Sequence, residues 1–167
     1  ICDVDSDRLQ KALEIVPEAR AYADWRELLE KEKGIIQSVN VSVPDHNHFA
    51  IAYEAIRLKK HVYCQKPLCH DVAEVRLLTE ESVKKGVITQ LGTQHASSPN
   101  DRAAVQLLRE GAIGKVNHVY LCSNRPGASQ YRIEGPRPPE NMNPPAHLNW
   151  DLWIGTAPAR SYAPDIY

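Results

Sequence analysis

From Ile35 to Pro67 the chain reads IIQSVNVSVPDHNHFAIAYEAIRLKKHVYCQKP, and two hydrophobic periods follow one another along it. Val39, Val41 and Val43 alternate with Asn40 and Ser42 inside a β-branched run from Ile35 to Val43, which predicts a buried strand closed by Pro44. Asp45 is placed to cap a helix whose Ile51, Ala52, Ala55 and Ile56 repeat at helical spacing, with Lys59 and Lys60 near its negative end. His61 to Cys64 then predicts a second strand. Strand, helix and strand over about thirty residues is the parallel crossover unit, and it dictates how the rest is read.

The same alternation extends on both sides. Upstream, Ile1 to Asp3 reads as the end of a strand, and Ser6 is the expected cap of a helix carrying Leu9, Ala12, Leu13 and Val16 up to Pro17. Asp24 is the expected cap of a short helix that buries Trp25, Leu28 and Leu29 and ends at Gly34. Downstream, Asp71 opens a helix with Val72, Val75, Leu78 and Val83 inward, Gly86 ends it in the left-handed cap position, and Val87 to Leu91 follows as a strand. The fold class is therefore α/β, with part of a Rossmann-type, doubly wound parallel sheet over residues 1–95.

Past Gln94 the pattern changes. Ser98-Pro99 opens a helix that Gly111 and Gly114 end, and Val116 to Arg125 reads as a long strand. Residues 126–147 then hold six of the twelve prolines. Residues 96–167 are expected to be the beginning of an α+β substrate domain, incomplete because one helix, one strand and a loop cannot bury a core.

The 20 Lys and Arg against 21 Asp and Glu leave a net charge of −1. That balance gives no electrostatic footprint for nucleic acid or an anionic membrane surface. No apolar run approaches the roughly 20 residues of a membrane helix. A cytoplasmic protein is the default expectation, with any export signal upstream of Ile1. Cys2, Cys64, Cys69 and Cys122 form no Cys-x-x-Cys pair and read as reduced thiols.

In open parallel sheets, ligands bind beyond the carboxyl ends of the strands. Asp3 stands at the first such end, where a carboxylate can accept both adenosine-ribose hydroxyls of NAD and would repel the 2′-phosphate of NADP; a turn rich in capping aspartates reads equally well. Val43-Pro44-Asp45-His46-Asn47-His48 stands at the second, where a helix start offers free N–H groups to a cofactor. His46 and His48, two residues apart on a helix, do not face each other, so no metal site is expected. Gln65-Lys66-Pro67 stands at the third. A lysine there, beside a positive nicotinamide ring and partly desolvated, suits a proton donor or acceptor for a substrate hydroxyl, although spacing alone favours a solvated loop lysine.

Six stretches in order resemble the glucose-fructose oxidoreductase, inositol dehydrogenase and MocA family of dehydrogenases. They are Cys2-Asp3-Val4-Asp5, Val43 to His48, His61-Val62-Tyr63-Cys64-Gln65-Lys66-Pro67, Gln90-Leu91-Gly92-Thr93-Gln94, Gly111-Ala112-Ile113-Gly114-Lys115-Val116 and Asn149-Trp150-Asp151-Leu152-Trp153-Ile154-Gly155. The resemblance implies that Lys66 is the catalytic or substrate-orienting lysine of a Glu-Lys-Pro motif, here Gln65-Lys66-Pro67, and that the Lys66-Pro67 bond is cis. The change from glutamate to Gln65 removes a charge beside Lys66. Lys59 replaces a glycine that ends the helix in many members. The expected cofactor contacts are Asp3, Val43, Pro44, Asp45, His48, Gln65, Lys66 and Gln94. The family's glycine-rich phosphate loop is expected before Ile1, and its Asp and His after Tyr167.

The resemblance implies an NAD-dependent oxidoreductase, with NADP less favoured, that moves a hydride at a secondary alcohol of a sugar, cyclitol or related polyol. A homo-oligomeric parent is expected. An NAD-dependent glycoside-cleaving member of the family and a non-catalytic cofactor-binding module are the alternatives. The proline-rich loop offers Arg125, Arg132 and Arg137 as candidate polar substrate contacts, although solvated arginines are the favoured reading.

Overall fold

A computed structural model of the chain describes residues 1–122 and 142–164. Contacts divide them into two compact units, one of 1–92 with 142–164 and the other of 93–122. Arg125, Arg132 and Arg137 lie outside the described residues.

The first unit is built on a parallel sheet of three strands in sequential order: β1 (Ser38–Val41), β2 (His61–Gln65) and β3 (Thr89–Gly92). Ser38 pairs with His61 and Val41 with Cys64; Val62 pairs with Thr89 and Gln65 with Gly92. The crossovers are the helices α3 (His48–Arg57) and α4 (Val72–Lys85), numbered after α1 (Ser6–Ile15) and α2 (Trp25–Glu32). Val62 and Cys64 alternate with His61, Tyr63 and Gln65, so one face of β2 meets the helices in a core of Val41, Ile51, Ala52, Ala55, Ile56 and Leu78. Tyr63 and Gln65 point to the other face.

The ladders are shorter than the β-branched runs suggest. Ile35 and Ile36 donate their N–H groups to the Glu32 carbonyl at 2.8 and 3.0 Å, so the exit of α2 takes the first residues expected in β1. Val87 donates back to Ser82 at the Gly86 cap, where φ is +64°, and β3 starts only at Thr89. At the amino end, Cys2 forms a single parallel bridge with Tyr22 instead of a full strand. Arg20 and Tyr22 both donate to the buried Glu32 carboxylate and tie this edge to α2. Those bonds, Arg20 first, hold the carboxyl below the ordinary glutamate range.

The caps correct two expectations. Asp5, not Ser6, caps α1 by accepting from the N–H groups of Asp7 and Arg8 at 2.9 and 3.2 Å. Asp45 caps no α-helix; it opens a 3₁₀ turn, Asp45–Asn47, and α3 begins at His48. Asn47, at the cap position, makes no capping bond because its side chain is engaged elsewhere. Asp24, Asp71 and Ser98 cap as expected. Lys59 adopts φ +58°, the left-handed conformation that a glycine takes without steric cost.

Returning to the first unit, α6 (Trp150–Ile154) buries Trp150 and Ile154, and Trp150 stacks on Trp153 with ring centroids 4.8 Å apart. The second unit holds a 3₁₀ turn, Gln94–Ser97, and α5 (Pro99–Arg109), with Pro99 in its first turn. Val116 to Cys122, read as most of a strand, carries no ladder, and Val119, Tyr120 and Leu121 are exposed. A strand needs a hydrogen-bonded neighbour, and the described residues of this unit supply none. Among the described residues no helix is long and apolar enough to cross a membrane.

Candidate functional site

The turn from β1 into α3 and the turn after β2 sit at adjacent carboxyl ends of the sheet, since β1 and β2 are parallel neighbours. In the first turn Val43 and Pro44 are half-buried and Asp45 is exposed, with the Asn47 N–H closing on the Pro44 carbonyl at 2.9 Å. In the second, Gln65 is half-buried and Lys66 is exposed, ahead of a cis Lys66-Pro67 bond. The described residues do not supply the desolvation expected around Lys66.

His48 occupies a different place from the one expected. It is fully buried, its Nδ1 lies 2.6 Å from the Pro67 carbonyl oxygen and its Nε2 lies 2.9 Å from that of Val43. The enclosed ring bridges the two turns from inside, facing a carbonyl oxygen of each. His46, two residues earlier, sends Nε2 2.9 Å to the Trp153 carbonyl instead.

Gln65 and Tyr63 project beside β3 at its end. A β-carbon at Gly92 would meet Gln65 Oε1 at 2.9 Å and the Tyr63 hydroxyl at 3.1 Å, so the absence of a side chain at 92 makes room for both. Gln65 offers a neutral carboxamide at a position where the resemblance expects a carboxylate. Gln94 is exposed and belongs to the second unit.

Asp3 is half-buried, with Oδ1 accepting from the Asp5 N–H at 2.9 Å. Arg8, the first arginine after it, is 3.5 Å from Asp5 Oδ2. A strap of 147–149 runs beside this corner: Ser6 N–H donates to the His147 carbonyl at 2.8 Å and Asn149 N–H to that of Val4 at 2.9 Å. His147 Nδ1 also lies 3.1 Å from Asp5 Oδ1. Burial works to raise the Asp5 carboxyl, but the Arg8 and Asp7 N–H groups together with His147 outweigh it and hold it below its usual range. Ligand atoms of Asp5, Asp7 and His147 lie within 4.8 Å of one another, yet Asp5 is already committed as a helix cap.

Sequence reasoning missed the contacts that fasten 153–156 to the first turn. Asn47, buried, donates Nδ2 to the Trp153 carbonyl at 3.1 Å and accepts the Thr156 N–H on Oδ1 at 3.3 Å, while Thr156 Oγ1 donates to the His46 carbonyl at 2.7 Å. Nothing in local spacing announces partners more than a hundred residues apart. The cysteines near Lys66 are free thiols, and burial pushes Cys64 up to about 11 and Cys69 up to about 12. Both stay protonated and poorly nucleophilic at neutral pH.

Comparison with known proteins bears on the family and the fold. The chain is 31% identical over 126 residues to a myo-inositol 2-dehydrogenase of Thermotoga maritima, covering 75% of this chain and 37% of that protein. The crystal structure of a probable dehydrogenase from Thermotoga maritima superposes with a TM-score of 0.61 at 32% identity, over 69% of this chain and 34% of that one. That of an inositol dehydrogenase homologue from Azotobacter vinelandii, in complex with NADH and myo-inositol, gives a TM-score of 0.59 at 27% identity, over 68% and 31%. The chain thus spans about a third of the length of these relatives. Residues 1–93 match the profile of the oxidoreductase family with an NAD-binding Rossmann fold, and the chain belongs to that family, which takes its name from glucose-fructose oxidoreductase, inositol dehydrogenase and MocA.

Proposed function

We propose that the protein carrying this chain is an NAD-dependent dehydrogenase that oxidises a secondary alcohol of a sugar, cyclitol or related polyol. The observation that carries the reading is the exposed Lys66 at the carboxyl end of β2, beside the Pro44 turn at the end of β1. The Thermotoga maritima relative is named for myo-inositol, and the Azotobacter vinelandii homologue holds NADH and myo-inositol. These names supply the substrate class.

The residues present fit a dinucleotide. Half-buried Asp3 offers a carboxylate to ribose hydroxyls, and Val43, Pro44 and Asp45 stand at a strand end next to that of Gln65 and Lys66. NAD is preferred to NADP because Asp3 has no neighbouring arginine before Arg8 to neutralise a phosphate. Residues 1–95 form part of the cofactor domain and 96–167 begin the substrate domain, of which 142–164 pack in the same compact unit as 1–92. When bound, the cofactor supplies the hydride acceptor. Lys66 Nζ, as the neutral amine, accepts the proton of the substrate hydroxyl as the carbon gives up hydride, so that alcohol becomes ketone, and the ammonium so formed releases one proton to solvent.

Gln65 favours a second reading, a cofactor-binding module that has lost its chemistry. Incubating the full-length protein with NAD and a panel of cyclitols and sugars separates the two. The dehydrogenase reading expects NADH and ketone in equal amounts, faster with NAD than with NADP; NADH binding without turnover on any polyol would replace it with the second.

A further inference from the structure

We infer that His48 is a positioning residue for Lys66, with its two ring nitrogens in different roles: Nδ1 donates to the Pro67 carbonyl and holds the Lys66-Pro67 turn, whereas Nε2 faces the exit of β1 without donating to it. The inference rests on the proposed role of Lys66.

His48 is fully buried at the first residue of α3, where an unbonded polar ring would be costly. Its two partners are carbonyl oxygens of Pro67 and Val43, neither of which can donate. A neutral imidazole has one N–H, so it can donate to only one of them. The contact to Pro67, at 2.6 Å, is the shorter of the two and assigns that proton to Nδ1. The Pro67 carbonyl is one peptide from Lys66. Fixing it fixes the stem from which the lysine side chain leaves.

A core histidine with a packing role alone would be satisfied by any nearby backbone. Here the ring spans the two turns that carry Val43, Pro44 and Lys66, at the ends of neighbouring strands. Lys66 itself is exposed, and its loop is placed from beneath by this ring. An error of about 1 Å in such a group costs on the order of 100-fold in rate.

Two amide substitutions separate the donating nitrogen from the other. The Asn amide nitrogen stands one carbon beyond Cβ, as Nδ1 does, and the Gln amide nitrogen stands two carbons beyond it, as Nε2 does. In the full-length protein, His48→Asn keeps the donor toward Pro67 and is expected to hold kcat within about threefold of wild type. His48→Gln loses that donor and lowers kcat by about 10-fold or more, with NADH affinity and polyol KM little changed. Equal losses of kcat in the two variants, or none in either, would overturn the inference.

The rate at which an acylating reagent labels Lys66, read by peptide mass spectrometry against the other lysines, gives a readout that needs no turnover. It should change several-fold in His48→Gln and stay near wild type in His48→Asn, and equal labelling of Lys66 in both variants would count against the inference. If wild type turns over no polyol, the proposed function fails while this labelling still decides His48. Should neither variant fold, NMR of the imidazole nitrogens in wild type decides it: a proton on Nδ1 is expected, and an unprotonated Nδ1 contradicts the assignment.

Discussion

Replacing Gly155 by Ala should be among the most damaging single-methyl changes in the chain. A β-carbon at 155 would stand 2.0 Å from Asn47 Oδ1, 2.8 Å from its Cγ and 2.9 Å from its Nδ2. The Asn47 amide would have to leave, giving up its bonds to the Trp153 carbonyl and the Thr156 N–H at 3.1 and 3.3 Å. Each bond contributes about 1 kcal/mol. Gly155 also has φ +53° with ψ −111°, outside the wells open to a residue with a β-carbon, which adds about 1–2 kcal/mol. The sum is about 3–4 kcal/mol. Urea unfolding of the full-length protein, followed by the fluorescence of Trp150 and Trp153 in the affected turn, should show a midpoint lowered by about 1 M or more at a typical slope of about 3 kcal/mol per M. Asn47→Ala removes the obstructing amide, so the double variant should be less destabilised than the sum of the singles by about 2 kcal/mol. A Gly155→Ala protein within about 0.5 kcal/mol of wild type would show that Asn47 does not lie over Gly155.

Lys59→Gly should stabilise the same protein by about 0.5–1 kcal/mol, because an exposed lysine at φ +58° gives way to a residue free of that steric cost; a lower urea midpoint would mean that the Lys59 side chain does other work. Asp3→Ala should weaken NAD binding by about 10-fold or more, the loss of a charge-assisted hydrogen bond, while NADP binding changes far less. Titration of both cofactors checks it, and an unchanged ratio would remove Asp3 from the ribose site.

The parallel sheet was legible because its information is local. Val39 and Val41 alternate with exposed neighbours along one strand, and the apolar residues of α3 recur on one helical face, so period alone separates strand from crossover. Which residues stand at the strand ends follows from that order, and Asp3, the Val43 to His48 turn and Lys66 could all be named. What each side chain does there was less legible. His48 sits in a turn that spacing marks for a cofactor, yet burial turns it toward Pro67, nineteen residues on. Asp45 reads as the helix opener, but it opens a 3₁₀ turn, and Asn47, at the cap position of α3, is engaged by a partner at 153–156 instead. Val116 to Cys122 has the composition of a strand but pairs with no ladder among the described residues of its unit, a tertiary condition that propensity does not contain.

The central claim is that Lys66 handles the substrate proton and leaves the cofactor to others. It is tested most directly by measuring polyol turnover and NADH affinity on one Lys66→Ala preparation of the full-length protein. Asp3 and the Pro44 turn belong to other strand ends than Lys66, so the account predicts a fall in turnover of about 100-fold or more with NADH affinity kept within about twofold. Turnover at the wild-type rate, or a loss of NADH affinity as large as the loss of turnover, would contradict it.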